Sequence, residues 1–197
     1  MSGVTMSSLP AWADWPAWPT KLERLPMSLE EYLALPEGMH AEYVDGEVIV
    51  SPPAASGHNK AQRRIANVIE ESLADELDVR TEAGWQRQQR YRIPDVAVFP
   101  EKDPAVVYDD STPILVVEVL SPSTASEDTV RKSGEYQQGE VTQYWIVDRD
   151  RRTLSVFVNN GEGWDRLLDL DEKSPTGTVT VGEWGEVALD LDALLRP

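Results

Sequence analysis

Glu118 is the only charged residue in the run Ile114-Leu115-Val116-Val117-Glu118-Val119-Leu120. A carboxylate in so apolar a segment is costly to bury unless a cation pairs with it or a metal binds it. A second acid, Asp95, follows Pro94 at the opening of another apolar run, Val96-Ala97-Val98-Phe99. If the two runs are neighbouring strands, the carboxylates converge. Two converging carboxylates, with backbone carbonyls and water, form an oxygen-rich site suited to Mg2+ or Mn2+. The inert alternative is a structural ion pair between Glu118 and Arg92 or another arginine.

A third group comes from a helix. Asp128, Lys132 and Tyr136 recur every four residues and so share one helical face. On an open surface Asp128 and Lys132 would form a pair worth about 0.2–0.5 kcal/mol. The helix, however, follows the Glu118 run after the short break Ser121-Pro122-Ser123. Its early turns therefore pack near the end of that strand, where Lys132 can reach the acids.

The elements that must position these groups are legible in the pattern. Ile114–Leu120 reads as a central strand buried on both faces, and Gln143–Asp148 as another buried strand. Ala61, Ile65, Val68, Ile69, Leu73 and Leu77 form one apolar stripe, predicting a helix from Ser56 or Gly57 to about Asp78. Ser28 with Glu31 three residues on is a capping-box pattern, so a short helix is expected over Leu29–Leu35. Asp45-Gly46 reads as the turn of a hairpin within His40–Ser51. Residues 79–92 read as strand-rich, and Ser126–Gln138 as the helix carrying Lys132. Leu154–Val158 reads as a strand, followed by short hairpins and a last helical turn at Leu191–Leu195. This order predicts an α/β (α+β) fold, a mixed central sheet flanked by helices. Residues 1–26, with Trp12, Trp15 and Trp18 among Pro10, Pro16, Pro19 and Pro26, read as an extension, since prolines so dense forbid a regular helix or central strand. Residues 27–197 read as one domain.

Composition limits the partners. The chain has 197 residues, 41% hydrophobic and 27% charged, and should fold. It holds no apolar run near the roughly 20 residues of a membrane helix and no signal-peptide pattern at its start. Without cysteine there are no disulfides and no thiolate metal ligands, which suits a reducing cytoplasm. The net charge of -17 argues against a nucleic-acid partner. The charge is uneven, though: Arg80, Arg87, Arg90 and Arg92 face only Glu82 in their stretch. Of these, Arg87, Arg90 and Arg92 are the candidate phosphate contacts, unless the stretch is simply a solvated strand surface.

Taken in order, Glu42-(x)3-Gly46, Pro94-Asp95, Glu118-Val119-Leu120-Ser121-Pro122-Ser123-Thr124, Asp128-(x)3-Lys132-(x)3-Tyr136 and Tyr144-Trp145-Ile146-Val147-Asp148 resemble the Uma family of putative restriction endonucleases. That family lies within the PD-(D/E)XK nuclease superfamily, and the resemblance spans about Met27 to Trp164. It implies a restriction-endonuclease-like fold and Mg2+- or Mn2+-dependent hydrolysis of phosphodiesters, in DNA. It implies that Asp95 and Glu118 are the metal-binding pair, Lys132 the catalytic lysine and Glu42 an additional acid. His58 matches a histidine the family carries before its long helix; a capping or surface role is the alternative. Asp128 and Tyr136 read as candidate supporting residues, and Tyr136 and Tyr144 as core or backing residues rather than catalytic ones. In the wider superfamily the lysine usually lies two residues after the glutamate. That position here is Leu120, so the resemblance implies a lysine moved to the helix. A homodimer would suit cutting of two strands, since one site cuts one strand at a time. The competing class is a weak or inactive nuclease-fold protein that binds or regulates.

Overall fold

The computed structural model describes residues 19–36, 39–101, 107–121 and 127–196. The three tryptophans of the expected extension lie outside the described residues. Within the described part of that stretch, β1 (Glu23–Pro26) pairs antiparallel with a later strand. Pro26 is tolerated because β1 is the edge of its sheet.

Ser28 caps α1 (Leu29–Leu33) through the full reciprocal capping box with Glu31. The hairpin β2 (Ala41–Val44) and β3 (Glu47–Val50) turns on Asp45 and Gly46, both at positive φ (52° and 88°), the type I′ geometry that matches strand twist. The long helix α2 spans Ser56–Ser72, shorter than its apolar stripe suggests. Leu73 turns extended and bridges to Gly185, and the Ala74 N–H donates to the Trp184 carbonyl. Gly185 is required there, since a Cβ would come within 2.8 Å of the Ser72 carbonyl oxygen.

Next come β4 (Asp78–Thr81), β5 (Gly84–Arg87), β6 (Arg90–Arg92), β7 (Val96–Phe99), β8 (Tyr108–Asp109) and β9 (Leu115–Leu120). A π-helical turn over Glu127–Lys132 runs into α3 (Ser133–Gln138), where the sequence suggested one continuous α-helix. The chain ends with β10 (Gln143–Asp148), β11 (Thr153–Asn159), β12 (Trp164–Leu170), β13 (Thr176–Val181), β14 (Gly185–Asp190) and α4 (Leu191–Leu195).

One six-stranded sheet has the order β12-β11-β10-β9-β7-β4, mixed, with β9 parallel to β10 and antiparallel to β7. Alternation on β9 divides its side chains. Leu115, Val117 and Val119 pack with α2, the β13–β14 hairpin and α4. Val116 packs on the other face with Trp85, Phe99, Tyr136 and Tyr144. Glu118 shares the parity of Val116 and faces α3. A second six-stranded sheet, β1-β3-β2-β6-β5-β8, builds its own core around Tyr32, Tyr43 and Tyr91. The site forms where the two sheets meet.

Candidate active site

β7 and β9 are adjacent, with Val96 opposite Val117; continuing that register one step puts Asp95 opposite Glu118. Asp95 Oδ2 accepts the Val119 N–H at 2.6 Å, and His58 Nε2 lies 2.9 Å from Asp95 Oδ1. One helical turn further along α2, Gln62 donates to the Asp95 carbonyl at 2.8 Å. Asp95 is thus aligned from α2 and from β9 together.

Glu118 is 2% exposed. Its Oε1 accepts from Lys132 Nζ at 3.1 Å and from the Tyr136 hydroxyl at 2.6 Å. The four-residue spacing of Lys132 and Tyr136 is what lets both meet one oxygen. Burial, and then the charge of Glu118, raise the Tyr136 phenol well above its ordinary pKa, so it remains a neutral donor.

Lys132 Nζ also lies 3.1 Å from Glu42 Oε1, which in addition accepts the Ile93 N–H at 2.9 Å. Burial would raise the Glu42 carboxyl. Lys132, Arg92 and the Ile93 N–H outweigh burial and hold it at about 2. On Arg92, burial opposes the charge, and Glu42 and Glu135 more than restore it.

Arg92 departs from expectation. It is 1% exposed, donates to Glu42 Oε2 and grips both oxygens of Glu135, so it is no surface phosphate contact. Lys132 stands beside Glu118, with Nζ 3.1 Å from Oε1. Arg87 and Arg90 remain on the surface, beside Glu140 at 3.4 Å and Asp45 at 3.0 Å. The side chain of Asp128 lies outside the described residues. Tyr144 is buried in the aromatic cluster around Tyr136. Sequence reasoning missed Glu135 and Gln62. Gln62 follows His58 by one helical turn, a signal that was readable; Glu135 carries none without knowledge of Arg92.

Glu42, His58, Asp95, Glu118 and Lys132 line one open cleft of about 610 Å³, with His40 at its wall. Among the described residues no group of three or more His, Asp or Glu side chains is spaced to hold a metal ion. The donors still fit Mg2+ or Mn2+ in kind. Mg2+ ordinarily takes only one or two carboxylates and completes its shell with water and substrate phosphate. Charge points the same way. The cleft lining holds Glu42, Glu82, Asp95 and Glu118 against Lys132. That excess of acid suits a cation.

A mixed sheet carrying paired acids at a cleft beside a buried lysine defines a restriction-endonuclease-like fold. Residues 29–188 match the model of the Uma2 family, described as "Putative restriction endonuclease", and the chain belongs to that family. A solved structure described as a "putative nuclease belonging to DUF820", from Anabaena variabilis, is similar in fold. It has a TM-score of 0.69 and 21% identity, over 86% of this chain and 98% of that one. Comparison with curated proteins finds no match. No helix among the described residues is long and apolar enough to cross a membrane.

Proposed function

We propose that the chain is a divalent-metal-dependent endonuclease acting on DNA. The observation that carries this is the excess of acid in the cleft lining, which includes Asp95, just before β7, and Glu118 on the adjacent β9. Asp95 and Glu118 would hold Mg2+ or Mn2+, which would supply a water of lowered pKa and offset charge on the phosphate. Lys132 stands at the cleft wall beside Glu118, where its ammonium orients the attacking water and stabilises charge growing on phosphorus-bound oxygen. Glu42 fixes that ammonium. Tyr136 aligns Glu118, and His58 aligns Asp95. Arg87 and Arg90, on the β5–β6 hairpin, are the leading candidates for phosphate contact outside the cleft. Cutting both strands calls for two copies of the site.

The test measures two things: Mg2+- or Mn2+-dependent nicking of supercoiled DNA, and the rise in melting temperature on adding metal, which follows when only the folded state binds it. Asp95→Asn and Glu118→Gln should each abolish both. Unchanged metal stabilisation in the two variants sinks the site assignment. Metal stabilisation without nicking in the wild type favours a nuclease fold that binds but does not cleave.

A further inference from the structure

We propose that Arg92 and Glu135 are positioning residues for the cleavage reaction, fixing both the helix that carries Lys132 and the carboxylate that holds its ammonium. The inference rests on the nuclease function proposed above. The side chains form a row of alternating charge: Glu135, Arg92, Glu42, Lys132, Glu118. Arg92 Nε and Nη2 each donate to Glu135 at 2.7 Å, a bidentate fork, and Nη1 donates to Glu42 at 3.0 Å. Glu135 sits three residues after Lys132, in the first turn of α3. The guanidinium therefore restrains Lys132 from two directions, through the turn that bears it and through the oxygen it touches.

Such a restraint has work to do here, because Lys132 ends a π-helical turn rather than lying within a regular α-helix. π turns interrupt the usual ladder and recur at functional sites. The planar fork of arginine can span two carboxylates in fixed directions, which a lysine ammonium cannot. A buried ion pair also adds little net stability over well-packed apolar groups, so geometry is what this one supplies.

The test uses the full chain with Glu135→Gln, Arg92→Lys and, as reference, Lys132→Met. The first readout needs neither metal nor cleavage: a pulse of acetic anhydride, with Lys132 acetylation followed by peptide mass spectrometry. In the wild type Lys132 should label far more slowly than the exposed Lys60. In Glu135→Gln and Arg92→Lys its rate should approach that of Lys60. If Arg92→Lys does not fold, the near-isosteric Glu135→Gln carries the test. Lys132 remaining protected in folded Glu135→Gln overturns the proposal, whether or not the wild type cleaves. The second readout is kinetic, with Mg2+ and DNA. In Glu135→Gln, kcat should fall toward the Lys132→Met level while KM stays unchanged, and adding Lys132→Met should cost nothing more. Additive losses would show that Glu135 does not act through Lys132. Absence of cleavage in the wild type defeats the nuclease function, and acetylation alone then decides the positioning.

Discussion

Glu42 makes the fold acid-sensitive in a way that can be isolated. Its carboxyl titrates at about 2 in the folded chain against the usual 4.5, because Lys132, Arg92 and the Ile93 N–H outweigh its burial. Each tenfold difference in proton affinity is worth about 1.4 kcal/mol, so the gap contributes about 3 kcal/mol. A lowered folded pKa gives stability that is fully present above the unfolded value and lost as pH falls through the folded one. By pH 3 the unfolded carboxyl is protonated and the folded one largely is not, so about 2 kcal/mol is gone. Many other acids titrate in the same range, so the comparison must be with Glu42→Gln. Urea unfolding from pH 7 to pH 3 gives the stability of each. At pH 7 Glu42→Gln should be the less stable, and the gap between the two should shrink by about 2 kcal/mol by pH 3. A gap that stays constant across that span would refute the claim that Lys132 and Arg92 hold Glu42 ionised.

Three further outcomes are expected. Tyr136→Phe keeps the packed ring but removes the donor to Glu118 Oε1, and urea unfolding should show a loss of about 1–3 kcal/mol, as for a buried hydrogen bond to a charge. Lys132→Met keeps the apolar stem and should leave Mg2+ stabilisation intact while slowing nicking by about 10²–10³-fold; wild-type nicking would remove Lys132 from the chemistry. Arg87→Ala and Arg90→Ala should each flatten the salt dependence of DNA binding by about one unit of slope, and an unaltered slope would move the footprint elsewhere.

The parts of the site legible in sequence are those that local patterns encode. Glu118 stood out because its neighbours in the strand are apolar, and period-two alternation then settles which face it takes. Lys132 and Tyr136 were tied by helical spacing. What escaped depends on contacts between distant segments. Arg92 looked like one of several surface arginines because its partners lie 43 and 50 residues away. The end of α2 was misjudged because Leu73 and Leu77 continue the apolar stripe, while the docking of the β13–β14 hairpin stops the helix at Ser72. Prolines obscured β1, whose pairing is supplied by β3.

The row of alternating charges draws on four stretches of chain that are far apart in order of synthesis. A ribosome that has released Glu42, Arg92, Asp95 and Glu118 has produced acids and a guanidinium but no ammonium to stand among them. Lys132 and Glu135 emerge later, and β10, which lies beside the Glu118 strand, later still. A chain that ends before Glu135 therefore lacks a member of the network and cannot assemble it.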